Sequence, residues 1–324
     1  MLNQTERGAE YKARFIAFFQ TEYGKNVLAL QPAKRGFYGE TWKLDTSGGS
    51  CFVKMVSSPS HKRLYEHSFS VVEHVNRQGV DCISNIIKTA SGALYTHFDG
   101  AAVGVFDWID GENVQDERTK LAEYQILAKV YAIPTDGLPL LREMFDAESL
   151  RLFYRQWQEL KQRSSNPNSQ VLLHLFDRHN DKLEALADRL MSLSARCKGD
   201  IAPKFITHGD AGGNVIAGEN HFSLVDWDDP LLAPPERDAW FCLHWDWAMD
   251  AFHEALRAQN IDYRLRPERL AYYCYHAFFW YLTKYLDVWL ESGDASGELT
   301  AEISDYIPNS WVHENIAYAG EHLS

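Results

Sequence analysis

The sequence predicts an α+β protein of two lobes. Three observations carry this. Strand-like runs separated by turn residues crowd into residues 1–108. Helical apolar periodicity dominates residues 109–324. The chain then returns only briefly to strand character, near residues 205–207 and 222–225, and there it carries its most conspicuous acids.

Each element follows from local chemistry. Tyr11, Phe15, Phe18 and Phe19 fall at helical spacing and predict a helix over 9–23, stopped by Gly24. Residues 27–30 form an apolar run. Residues 38–44 and 51–56 read as strands flanking Asp45-Thr46-Ser47-Gly48-Gly49, a hairpin turn with glycines where a turn wants them. A helix is expected over 60–78, ending at Gly79. Residues 83–88, 94–98 and 102–108 read as three more strands, with turns at Ser91-Gly92 and Asp99-Gly100. Beyond Ile109-Asp110-Gly111 the apolar pattern predicts helices over 116–132, 147–163, 168–197, 236–259 and 267–290. The first 108 residues are thus expected to form one lobe and residues 109–324 the other, with the crossing at about 105–111. The cleft between them is the expected ligand site.

Composition narrows the function classes. The chain has 324 residues, enough for two cores, and its 45% hydrophobic and 24% charged content is that of an ordinary globular protein. A formal net charge of -13 argues against a nucleic-acid partner. It suits attraction of cations, whether Mg²⁺ or a polyamine-like substrate, and serves solubility equally well. Five cysteines, an odd number without C-x-x-C spacing, argue against a disulfide framework or zinc site and point to the reducing cytoplasm. Residues 1–7 lack the apolar region of a signal peptide, and the apolar segment 277–282, followed by Thr283 and Lys284, is too short to span a bilayer.

The chemistry is concentrated in Thr207-His208-Gly209-Asp210-Ala211-Gly212-Gly213-Asn214 and in Val225-Asp226-Trp227-Asp228-Asp229. Alone, His-Gly-Asp reads as a turn with a satisfied histidine. Both elements in this order have the layout that phosphoryl transfer needs. Asp210 would orient a substrate hydroxyl. Asn214 and Asp226 would hold Mg²⁺, a hard cation that prefers oxygen ligands, and Asp228 would support it through water. Trp227, between the two acids, would face the other way and pack.

Upstream residues fit the same chemistry. Lys54 closes an apolar strand and could place its ammonium on nucleotide phosphates, although lysines on edge strands also guard against aggregation. Gly36 and Gly39, in Lys34-Arg35-Gly36-Phe37-Tyr38-Gly39-Glu40, could let backbone lie over phosphates or form an ordinary turn. Glu66 or Glu73 would pair with Lys54 from the following helix. The Asp107 carbonyl and the Ile109 amide could hydrogen-bond adenine, unless the segment is a plain linker. Asp238 is either an acid opening a helix or a brace for the Asp210 loop.

These residues resemble the aminoglycoside phosphotransferase family of kinase-like enzymes. The tail Leu231-Leu232-Ala233-Pro234-Pro235-Glu236-Arg237-Asp238 looks most like its spectinomycin phosphotransferase branch. The resemblance implies a protein-kinase-like fold, ATP or GTP as donor, Mg²⁺, and a small hydroxylated acceptor such as spectinomycin or a related aminocyclitol. It makes Asp210 the catalytic carboxylate, Asn214 and Asp226 metal ligands, and Lys54 the phosphate clamp. One departure stands out: kinases place four residues between the catalytic Asp and the Asn, and only Ala211, Gly212 and Gly213 intervene here. Tyr131 takes a position where relatives often carry histidine, and reads as packing.

Five of the ten tryptophans, Trp240, Trp245, Trp247, Trp280 and Trp289, fall between residues 240 and 289. Helix core is their plain role; stacking on an acceptor, with Asp246, Asp250 or Asp287 pairing its amines, is the other. Three further readings stay open. One is a kinase of a choline-, homoserine- or sugar-like metabolite, and another a nucleotide-binding protein without catalysis. The third, a metallohydrolase using His208, Asp210 and Asp226, lacks a second histidine cluster.

Overall fold

The structure, a computed structural model, describes residues 7–34, 39–136, 138, 140–199, 203–294 and 296–323, with Ser60 and Cys242 as backbone alone. Helix α1 (Ala9–Tyr23) buries Phe15, Phe19 and Tyr23 and ends where the N–H of Gly24, at φ 62°, donates to the Gln20 carbonyl. Strands β1 (Val27–Pro32), β2 (Glu40–Thr46) and β3 (Gly49–Val56) follow, then helix α2 (Pro59–Arg77) and strands β4 (Thr96–Phe98) and β5 (Ala101–Asp107). The five strands form one antiparallel sheet in the order β1-β2-β3-β5-β4.

Alternation along β3 sorts its two faces. Cys51, Val53 and Met55 pack under α1 with Phe15, Phe19 and Phe98, while Val56 packs with Tyr65 and Phe69 of α2. Lys54 shares the α2 face and pairs in register with Gly104 of β5. A Cβ on Gly104 would lie 2.3 Å from the Phe69 ring and 2.4 Å from the Tyr65 hydroxyl. The missing side chain therefore admits α2 to the sheet directly beside Lys54.

Residues 83–88 depart from the expected strand. Ile87 donates to Val105 at 2.8 Å and Asn85 accepts from Asp107 at 3.0 Å, but Cys82 accepts from Leu224, far along the chain, at 2.9 Å. The segment divides its backbone between two sheets and makes only isolated bridges, Ile83 to Leu224 and Ile86 to Phe106. The strand expected over 94–98 is shortened to β4.

The rest is mainly helical. Helix α3 (Glu117–Tyr131) opens on a capping box between Asp116 and Thr119. Helices α4 (Glu148–Gln162), α5 (Pro167–Arg178) and α6 (Asn180–Lys198) follow; the single helix read over 168–197 breaks at His179. Strands β6 (Phe205–Thr207), β7 (Val215–Ala217), β8 (Phe222–Leu224) and β9 (Leu231–Ala233) pair as two small ribbons, β6 with β9 and β7 with β8. Helix α7 (Glu236–Ala239), a 3₁₀ turn at Trp240–Cys242 and helix α8 (Ala248–Ala258) replace the continuous helix read over 236–259. Helix α9 (Pro267–Ser292) runs through the centre against α4, α6, α7, α10 (Glu298–Asn309) and α11 (Val312–His322).

Candidate active site

The loop between β6 and β7 is fastened from beneath. His208 is 1% exposed; its Nε2 lies 2.9 Å from the Val225 carbonyl and its Nδ1 3.2 Å from the Asp210 amide. One nitrogen must donate and the other accept, which is the neutral imidazole. Burial acts in the same direction, holding the histidine below its ordinary range. The ring also packs on Trp227 at 4.5 Å. His208 thus ties the Asp210 loop to the segment carrying Asp226.

Asp238 of α7 does act as a brace. Its carboxylate accepts the N–H of His208 at 3.0 Å, the N–H of Gly209 at 2.6 Å and the Tyr131 hydroxyl at 2.7 Å. Tyr131 packs as expected, against Phe205, and in addition makes this hydrogen bond. Gly209 has φ 87°, and a Cβ there would lie 2.2 Å from the Arg237 guanidinium. Arg237 in turn donates to the Thr207 hydroxyl at 3.1 Å and the Asp229 carbonyl at 2.9 Å.

Helix α9 holds the carboxylate of Asp210. The Tyr281 hydroxyl donates to Oδ1 at 2.7 Å, and the Lys284 ammonium lies 3.5 Å from Oδ2. Asn214 returns to the same loop: its Nδ2 donates to the Asp210 carbonyl at 2.6 Å, and its own carbonyl accepts from Val225 at 2.9 Å. The shortened loop therefore still turns Asn214 back toward Asp210.

Lys54 meets both downstream acids, with Nζ 2.5 Å from Asp226 Oδ1 and 2.5 Å from Asp228 Oδ2. Asp226 has φ 67°. This left-handed turn, rather than an extended chain, converges the two carboxylates, while Trp227 is buried and donates to Leu224 at 3.1 Å. Desolvation in the cleft opposes both negative charges. At Asp226 the Lys54 ammonium outweighs it and the carboxyl is held below its ordinary range. At Asp228 desolvation prevails, helped by the Asp226 charge, and the carboxyl is pushed up. Desolvation also opposes the Lys54 charge, but the two acids override it and keep the ammonium protonated.

Neither expected glutamate reaches Lys54. Glu66 bonds His97 at 2.7 Å, and Glu73 pairs with Lys88 and Arg77, each at 2.7 Å. Both project from α2 toward the surface, and the α2 side chain beside Lys54 is Tyr65, whose hydroxyl donates to the Lys54 carbonyl at 3.1 Å. Asp107 ends β5, paired with Cys51, and Ile109 follows half-buried in the crossing. Gly39 has φ 90°, and a Cβ there would fall 1.8 Å from the Met55 carbonyl, so contact with β3 alone demands glycine. Gly36 lies outside the described residues.

The family model described as the phosphotransferase enzyme family matches residues 29–273, spanning both the sheet and the acid-bearing loops. The chain belongs to this phosphotransferase family. No curated protein matches the sequence. Among solved structures, the chain is similar to the spectinomycin phosphotransferase APH(9)-Ia in complex with ADP and spectinomycin, at TM-score 0.74 and 18% identity, covering 95% of this chain and 98% of that one. It is also similar to the choline kinase LicA from Streptococcus pneumoniae, at TM-score 0.63 and 14% identity, covering 96% and 100%. A choline kinase from Cryptosporidium parvum matches at TM-score 0.58 and 10% identity, covering 96% of both chains. The antiparallel sheet followed by a helical part is thus the kinase-like fold that the sequence resemblance implies.

The phosphotransferase uses its late aromatic residues unevenly. Trp289 is core, fully buried and donating to Thr300 at 2.9 Å, so it cannot meet an acceptor. Trp240 is also buried and stacks on Trp311. Trp245 and Trp247 are half-buried neighbours at 5.4 Å, and Trp245 lines a small pocket with Gln115, Lys120, Phe241 and Gly213 of the Asp210–Asn214 loop. Asp246 and Asp250 are exposed, while Asp287 accepts from Gln156 at 2.5 Å. Sequence reasoning missed Tyr281 and Lys284. The available signal was their spacing of three, which puts both on one helical face, with a lysine interrupting an apolar stretch.

Proposed function

We propose that this phosphotransferase moves the γ-phosphoryl group of ATP, or of GTP, to a hydroxyl of a small aminoglycoside or aminocyclitol such as spectinomycin. The observation that carries the reading is the convergence of Lys54, from β3, on Asp226 and Asp228, whose segment His208 ties to the Asp210 loop. Residues 1–108 would form the nucleotide lobe and 109–324 the catalytic and acceptor lobe, with Asp107 and Ile109 offering backbone groups to the base. Five cysteines without disulfide or zinc spacing support a cytoplasmic location for the enzyme.

Asp210 accepts a hydrogen bond from the acceptor hydroxyl and aims its oxygen at the γ-phosphorus. Lys54 offers its ammonium to the phosphates in place of its two carboxylates. The donor set fits Mg²⁺: two carboxylates, and an Asn214 amide whose nitrogen is already bonded to Asp210, leaving its oxygen to face a hard cation. Among the described residues no group of three or more His, Cys, Asp or Glu side chains forms a metal site by itself, and Mg²⁺ bound with a nucleotide takes its remaining ligands from phosphate and water. Held by Asp226 and Asn214, with Asp228 acting through water, it would offset charge on the β- and γ-phosphates.

The aminocyclitol assignment rests on the residue 231–238 tail and on the fold shared with spectinomycin phosphotransferase. A second reading, a kinase of a small cationic metabolite such as choline, is supported by the fold shared with choline kinases. Incubation with labelled ATP, Mg²⁺ and a panel of aminocyclitols, aminoglycosides, choline, homoserine and sugars decides. Label transfer to spectinomycin is expected. Turnover of a metabolite with spectinomycin inert overturns the aminocyclitol assignment, and stabilisation by MgATP with no product from any compound overturns catalysis.

A further inference from the structure

Lys284 occupies a singular place. Standing on α9, it follows Tyr281 by three residues and Trp280 by four, which sets the three side chains on neighbouring positions of the helix surface. Its ammonium is 3.5 Å from the Asp210 carboxylate and 3.3 Å from the centre of the Trp280 ring, and its side chain is only 15% exposed. Its field reaches beyond these contacts. It is the first influence after burial in pushing His61, on α2 across the cleft, down to about 4. One cation thus borders the hydroxyl-orienting acid, and its field is felt on the opposite wall. Meanwhile the loop Asp210-Ala211-Gly212-Gly213-Asn214 carries no basic residue of its own.

We propose that Lys284 is a catalytic residue whose ammonium contacts the γ-phosphoryl group during its transfer. This rests on the phosphotransferase reading of the cleft and adds a residue to it. In the step, the acceptor oxygen bonds to the γ-phosphorus as the bond from that phosphorus to the β–γ bridging oxygen breaks. The electron pair of the broken bond stays on the β-phosphate of the departing diphosphate, and the hydroxyl proton passes to Asp210. Lys284 remains protonated throughout. Its three donors allow it to keep Asp210 while donating to the equatorial oxygens, where transition-state charge is spread. A fixed cation aimed at that charge acts on the transition state more than on bound nucleotide.

The test compares Lys284→Met, which keeps the aliphatic packing on Trp280, with Lys284→Arg, which keeps the charge; Lys284→Gln replaces the first if it fails to fold by circular dichroism. Turnover uses the compound from the acceptor panel that accepts label. Affinity is measured for MgADP alone and for MgADP with aluminium fluoride, a planar mimic of the phosphoryl group in transfer. The expected result is a kcat loss of roughly 10²- to 10³-fold in Lys284→Met with KM for ATP nearly unchanged. MgADP should bind as in the wild type, the gain from aluminium fluoride should vanish, and Lys284→Arg should restore part of both. A kcat within about threefold of wild type, or MgADP binding weakened as much as the fluoride complex, overturns the role. A wild type that phosphorylates nothing in the panel overturns the underlying reading; an active Lys284→Met overturns this inference alone.

Discussion

Asp238 receives the backbone N–H of Gly209 at 2.6 Å, so a side chain on α7 fixes the His208–Gly209 peptide, one unit before Asp210. With the His208 N–H and the Tyr131 hydroxyl, three donors meet on one 3%-exposed residue. Asp238→Ala leaves all three without an acceptor and should cost about 3 kcal/mol or more in urea denaturation, with kcat falling in the fraction that stays folded. Tyr131→Phe removes one donor and should cost about 1 kcal/mol with most activity retained. Equal, small losses in the two variants would show that the brace does not position the loop.

Asp210→Asn and Asp226→Asn should each lower turnover about 10³-fold or more while the thermal transition stays cooperative. Asparagine suits the left-handed backbone at Asp226, so this substitution changes charge without changing shape. Substantial activity in both folded variants would remove these residues from the mechanism.

Lys54→Ala takes the ammonium from between Asp226 and Asp228 and leaves two carboxylates in mutual repulsion. Nucleotide affinity should fall, read as a raised KM for ATP together with a kcat loss of about 10²-fold. Unchanged nucleotide binding by calorimetry would mean that the lysine serves the fold alone.

Gly209→Ala puts a Cβ 2.2 Å from the Arg237 guanidinium at a residue with φ 87°. Strain and displacement of Arg237 should together destabilise by about 2 kcal/mol or more, measured by urea denaturation. A wild-type midpoint would show that Arg237 moves aside without cost.

Buried, neutral His208 makes stability depend on acid. Its pKa is depressed in the folded state, so below the unfolded value of 6.5 the unfolded chain takes up a proton that the native site refuses. Stability is therefore complete above that value and declines as pH falls beneath it. His208→Gln should be less stable at neutral pH but lose less between pH ~7 and ~5, because one proton of the linkage is gone. Parallel pH profiles would place the acid sensitivity in other histidines, such as His276, which burial also depresses.

The legible parts of the fold were those written in adjacent residues. Helix α1 with its Gly24 stop and the β2–β3 hairpin around Gly48-Gly49 carry their own signals. Strands β7 and β9 span three residues each, too few to display a period, and residues 83–88 look like a strand because their pairing with two separate sheets leaves no local trace. The site divides similarly. The residues on the two short loops were legible together, since one stretch of chain carries them. The partner of Lys54 was misread because helix α2 offers Tyr65, not a glutamate, on the inward face. Tyr281 and Lys284 reach Asp210 from about seventy residues downstream, a meeting made only by the packing of α9.

The segment from Cys82 to Ile87 has a mechanical consequence. Cys82, at one end, is bonded to Leu224, two residues before Asp226; Asn85 and, at the other end, Ile87 are bonded to Asp107 and Val105 of β5. It is a tether between the five-stranded sheet and the β7–β8 ribbon. Separating the sheet from the acid-bearing ribbon would therefore break backbone hydrogen bonds at one of its two anchors.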